Sequence, residues 1–245
     1  MSFPLTRHSV VVAARSEDGD VRRRAFEALA AAYWKPVYKY LRLQWRAAPE
    51  DAEDLTQGFF ARALEKEFFV RFDPARARFR TFLRACLDGY VANERKAARR
   101  LKRGGGRKEV PLDAPEAEGE LRRQPLVPGA DMEEYFHREW VRAVFGLAVQ
   151  ALRRQCEAAG KQKAFAVFER YDLAPGEGDA RPTYAQLGQD LALPTTQVTN
   201  HLSAMRRQFR ALVLETLAEQ CATDEEFQAE ARDLLGVETA RGKRP

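Results

Sequence analysis

The chain has 245 residues, 45% of them hydrophobic and 31% charged. That is enough apolar material for a packed core and too much for a wholly disordered chain. The length suits one large domain or two small ones. No run approaches the roughly 20 consecutive apolar residues of a membrane span, and the short apolar patch Val10 to Ala14 lacks the flanks of a signal peptide. Cys86, Cys156 and Cys221 are odd in number and far apart, and His8, His137 and His201 are as scattered. This argues against a disulfide framework or zinc site, and for a reducing cytoplasm. No metal or cofactor is expected.

Lys and Arg number 41 against 36 Asp and Glu, a net charge of +5, and the distribution says more than the sum. Eight bases lie between Arg95 and Lys108 with no acid among them, whereas Glu109 to Glu139 holds nine acids and three bases. A cationic block followed by an anionic one fits a polyanion-binding surface and a spacer. It equally fits a solvated helix face followed by a charged linker.

Helical periodicity dominates. Phe26, Leu29, Ala30 and Tyr33 form one stripe, and Pro36 is expected to restart the chain for a second helix through Trp45. Pro49 opens a third helix, to about Glu67, with acids in its first turn. The fourth is expected from Arg78 to Arg103. Phe79, Phe82, Leu83, Cys86, Leu87, Tyr90 and Val91 make its apolar stripe, cations follow, and Gly104 to Gly106 end it. Phe82 and Tyr90 fall on that stripe and read as core side chains before base contacts. Residues 104–130 read as a flexible linker.

A further helix is expected from Asp131, and a shorter one around Phe165, Phe168 and Tyr171. Thr183 then caps a helix with Tyr184, Leu187 and Leu191 inward, Ala192-Leu193-Pro194 turns, and Thr195 caps a longer one on Val198, Leu202, Met205 and Phe209. Two helices around a short turn suit a DNA reader and also a plain helical hairpin. As a reader, Thr195, Thr196, Gln197, Thr199, Asn200 and Ser203 would meet base edges, with Arg206, Arg207 and Arg210 near phosphates. Beyond this, Thr223 and Glu226 fit a capping box for a last helix on Phe227, Ala231, Leu234 and Leu235. That helix suits a cap on the domain or a docking site for a regulator.

Three segments together carry a resemblance. Pro49 to Phe60 (PEDAEDLTQGFF) resembles the core-polymerase-binding part of region 2 in sigma-70 family RNA polymerase sigma factors. Phe79 to Leu83 (FRTFL), continued through Ala92 to Lys96 (ANERK) and Lys102 to Gly106 (KRGGG), resembles the promoter-melting part of that region. Tyr184 to Arg210 is similar to region 4. Two such halves with only a linker between them are the pattern of the extracytoplasmic-function subgroup. One departure is that Thr199, Asn200, His201 and Ser203 stand where region 4 usually carries Lys or Arg.

The resemblance implies an all-α chain of two small helical domains: a region 2-like bundle over 15–103, a flexible linker over 104–130, a region 4-like helix-turn-helix domain over 131–220, and a C-terminal extension over 221–245. It implies that Glu50, Asp51, Glu53, Asp54 and Gln57 bind core RNA polymerase. Asn93, Arg95, Lys96, Arg99, Arg100, Lys102 and Arg103 would take the downstream promoter element. Of these, Asn93 is the candidate for holding an unpaired base, since its amide both donates and accepts. Other implied partners are promoter DNA and an anti-sigma factor or regulatory Ser/Thr kinase. No catalytic constellation is visible. A sigma factor, a sigma-like DNA-binding regulator that no longer initiates transcription, and a nucleic-acid-modifying enzyme are the three functional readings; the acidic face favours the first.

Overall fold

The computed structural model describes residues 9–64, 66–98, 113–123, 130–174 and 181–236. Among them every regular element is a helix and no strand occurs, in keeping with the all-α expectation. The chain divides into two compact units, Met1–Ala143 with Leu217–Pro245, and Val144–Thr216. This differs from the expected partition: residues 131–143 and 217–220, assigned above to the C-terminal domain, group with the first unit.

In the first unit, α1 (Val10–Ala13) precedes α2 (Gly19–Gln44). The break expected at Pro36 does not occur; the proline lies inside one continuous helix. An interior proline costs roughly 3 kcal/mol through its missing N–H and ring clash. Here Ala32, Tyr33, Val37 and Tyr38 around it are all buried, and each large apolar side chain removed from water returns about 1.5–3 kcal/mol. Burial therefore outweighs the local penalty. Helix α3 (Pro49–Ala63) starts at its proline as expected but stops short of Glu67, and α4 (Lys66–Val70) follows separately. That interruption lets Phe68 meet Phe59 at 5.8 Å and Phe69 stack on Phe79 at 6.2 Å.

Helix α5 (Phe79–Ala98) buries Phe79, Leu83, Leu87, Tyr90 and Val91. Phe82, half-buried, packs against Phe68, Phe72 and Phe79, and Tyr90 is buried beside Phe59. Tyr33 anchors that core, edge-on to Phe79 at 5.7 Å and stacked on Phe136 and Trp140.

Part of the expected linker is structured. Residues 114–123 form helix α6 (Ala114–Arg123), which lies against α2. Lys35 Nζ reaches Glu116 at 2.7 Å and Glu120 at 3.0 Å. Tyr38 donates to Glu118 at 3.0 Å, and Arg42 grips the same carboxylate. Lys39, only 2% exposed, bonds Glu120 and the equally buried Glu139. Glu139 belongs to α7 (Met132–Ala158), which runs from the first unit into the second.

The C-terminal extension also joins this unit, through α11 (Asp224–Leu235). Thr223 caps it as expected, but Glu226 does not close a capping box. Its two oxygens instead accept the N–H groups of Ala222 and of Phe79, both at 2.9 Å. The second contact satisfies the first residue of α5, where an orphan donor and the helix dipole favour a carboxylate. Buried Glu230 adds ion pairs to Arg78 and Arg80.

The second unit holds the end of α7, α8 (Gln162–Phe168), a π-helical turn at Glu169–Leu173, α9 (Tyr184–Leu191) and the first part of α10 (Thr195–Gln220). Val167, Leu187, Val198 and Leu202 form its core, with Tyr171, Tyr184, Leu191 and Leu193 packed around them.

Candidate nucleic-acid interface

Helices α9 and α10 follow one another around the short turn at Ala192-Leu193-Pro194. Thr183 and Gln186 form a complete capping box at the start of α9. The helix ends at Ala192 in the left-handed region, φ 50 and ψ 56, a conformation non-glycine residues adopt uncommonly. Leu193 N then donates to Gly188 O at 2.8 Å. A Cβ at position 188 would lie 2.7 Å from Leu193 O, so the chain reverses this tightly because residue 188 is glycine. An isolated glycine in a helical pattern is the sequence signal for such a close approach.

Helix α10 buries Val198, Leu202 and Met205 and exposes Thr195, Thr196, Gln197, Thr199, Asn200 and Ser203. Every polar candidate on it therefore faces solvent. Thr199 is partly engaged, its hydroxyl donating to Thr195 O at 3.2 Å. Thr196, Asn200, Ser203 and Arg207 follow one another at i, i+4, i+7 and i+11, one line along the helix.

The two arginines at the end of that set differ. Arg206 is held by Asp172 through two bonds of 2.8 Å, with its guanidinium 5.5 Å from the Tyr171 ring. The Asp172 hydrogen bonds raise its pKa. Arg206 thus has an ion-pair partner within its own unit, although its side chain is 47% exposed, while Arg207 is exposed with no such pair among the described residues.

In the first unit, Glu50, Asp51, Glu53 and Asp54 are exposed on α3 and Gln57 is half-buried. On α5, Asn93 and Lys96 are exposed. Arg95 is engaged: it donates to Trp45 O and its guanidinium lies 4.8 Å from the Trp45 ring. Trp45 is held in turn by Asp88 at 2.9 Å. Arg99, Arg100, Lys102 and Arg103 lie outside the described residues.

Asn93 sits on a cavity of about 240 Å3 between α3, α4 and α5. Its walls include Phe59, Phe68 and Tyr90, with Arg62 and Arg71 also lining it. Cys86, Gly89 and Tyr90 share its lining with Asn93 at helical spacing. Burial pushes the Cys86 thiol up, which keeps it protonated and a poor nucleophile.

Among the described residues no group of His, Cys, Asp and Glu could hold a metal ion, and no helix is long and apolar enough to cross a membrane. Cys86, Cys156 and Cys221 are free thiols. No family model matches the chain, and no curated protein or solved structure matches it.

Proposed function

We propose that this chain is a transcription initiation factor of the sigma-70 kind, acting in the cytoplasm, which binds core RNA polymerase, directs it to promoters and supports strand opening. One observation carries the reading. A helix-turn-helix with an outward polar line on α10 and an exposed row of carboxylates on α3 occur in the same chain. A DNA reader alone has no use for the second feature; a factor that must also hold polymerase has.

The division of labour follows from the side chains. Thr196, Gln197, Asn200 and Ser203 donate and accept hydrogen bonds and so can discriminate base edges in a major groove. Lys96 offers a phosphate contact. Strand opening needs an unpaired base to be kept from re-annealing, against an unstacking cost of a few kcal/mol. Asn93, at an aromatic-walled cavity flanked by arginines, supplies amide hydrogen bonds and stacking surface for such a base. No covalent step and no cofactor form part of this proposal. An anti-sigma factor or Ser/Thr kinase would engage the exposed side of α11, since its other side is occupied by Glu226 and Glu230 contacts to the first unit.

The acidic row is the feature to test. Asp51→Arg with Asp54→Arg should weaken association with purified core polymerase, by about 1–3 kcal/mol for charges reversed at an interface, with the helical circular-dichroism signal unchanged. Undiminished co-purification would favour the second reading, a sigma-like regulator that no longer initiates transcription.

A further inference from the structure

The second unit contains a cavity of about 500 Å3 where the end of α7 and the start of α8 face α10. Gly160 ends α7 in the left-handed region, φ +67, and Lys161 N donates back to Cys156 O at 2.7 Å. This tight reversal brings Lys161 and Lys163 to the wall opposite His201, Arg207 and Gln208 of α10. Buried Met205 forms part of the floor.

The lining holds three permanent cations and no carboxylate. Elsewhere in the unit Arg153 pairs with Glu169, Arg170 with Asp190 and Arg206 with Asp172; Arg154, Arg181 and Arg210 make no ion pair among the described residues but lie outside the cavity lining. Among the described residues Lys161, Lys163 and Arg207 have no such partner. Unpaired cations gathered around a concave surface repel one another and gain from an anion bound between them. Arg207 belongs at once to this wall and to the polar line Thr196, Asn200, Ser203 and Arg207. An anion in the cavity therefore lies alongside whatever that line touches.

We infer that this cavity is a phosphate clamp, gripping the backbone of the DNA strand that borders the groove read by α10. The inference rests on the DNA-binding reading above and deepens it. It keeps the phosphate contact of Arg207 and adds Lys161 and Lys163, which lie more than thirty residues before α10 in the chain. Its chemistry is sequence-independent, so it supplies affinity and register while Thr196, Gln197 and Asn200 supply discrimination. The same phosphate chemistry could come from a free polyphosphate, and the experiment separates the two sources.

Full-length protein is titrated against fluorescent duplexes, one carrying a site obtained by in vitro selection and one of unrelated sequence, across a range of salt. Lys161→Gln with Lys163→Gln should weaken both duplexes alike, roughly tenfold near 0.1 M salt, and flatten the salt slope by about 0.9 for each phosphate no longer neutralised. Lys161→Arg with Lys163→Arg should restore both quantities. Arg154→Gln, an exposed charge of the same unit outside the cavity, should leave them unchanged. An unaltered slope in the glutamine pair, or an equal loss in Arg154→Gln, overturns the clamp while leaving DNA binding standing. Wild-type protein that binds neither duplex overturns the DNA reading and the clamp with it. Inorganic tripolyphosphate is titrated in parallel at matched ionic strength. If it binds wild type but not the glutamine pair, while duplex affinity is the same for both, the cavity takes free phosphate and the duplex clamp fails.

Discussion

Lys35, Lys39 and Arg42 on α2 each meet glutamates of α6 or α7, whereas Lys161, Lys163 and Arg207 line an open cavity without a carboxylate. The two sets have the same formal charge. The first contributes to architecture: its cations tie helices distant in sequence, and Lys39 is buried with Glu139. The second is exposed and unneutralised, the state in which a cation is available to a ligand. A density of Lys and Arg is therefore uninformative until the carboxylates around it are placed. The same distinction separates neighbours on α10, where Arg206 is spent on Asp172 and Arg207 is not.

The sharpest way to break this comparison is to remove a buried member of the first set. Lys39→Ala leaves the buried Glu139 carboxylate with Arg142 as its remaining ion-pair partner, which should destabilise the protein by about 1–3 kcal/mol in urea unfolding. A loss below 1 kcal/mol would mean that water reaches the pair and that it does no more than a surface contact.

Acid gives the next effect. The Arg42 hydrogen bonds hold the Glu118 carboxyl below its usual value of 4.5, against a smaller opposing push from burial. Below pH 4.5 the unfolded chain takes up the proton before the folded one does. The stability contributed by the Arg42–Glu118 contact is thus complete above that pH and lost as pH falls through the lowered folded value. The urea midpoint of wild type should drop across this window, and that of Glu118→Gln should drop less. Equal slopes would detach Glu118 from the docking of α6.

The smallest stability effect sharpens the comparison within α10. Arg206→Gln should cost no more than about 0.2–1 kcal/mol, because its pair with Asp172 is largely solvent-screened. Arg207→Gln should leave stability within about 0.5 kcal/mol of wild type and instead lower affinity for every duplex alike. Reversed outcomes would exchange the roles assigned to the two residues.

What the sequence made legible was local. The Thr183 cap, the Pro49 start of α3 and the apolar stripes of α5 and α10 follow from neighbours within two turns. Residues whose role depends on distant partners are not legible from their neighbours. Pro36 looked like a boundary because a local rule counts its penalty and not the burial of Tyr33 and Val37 around it. The segment 114–123 looked like linker because it is short, acidic and poor in large apolar side chains. Its stabilising partners, Lys35, Lys39 and Arg42, lie about 80 residues earlier. Asp172, which pairs with Arg206, sits in the π-helical turn 34 residues away. On the candidate site, the polar face of α10 was visible from its spacing, and the Lys161–Lys163 wall was not, since nothing local joins it to Arg207.

Run-off transcription measures promoter-directed initiation itself. Purified core polymerase is supplied with the full-length chain and a pool of intergenic templates from the source genome. Discrete transcripts from a small subset of templates are expected, absent with core alone and reduced by Asp51→Arg with Asp54→Arg. If the same pool yields no chain-dependent transcript although the protein binds DNA and core polymerase, initiation is not its function.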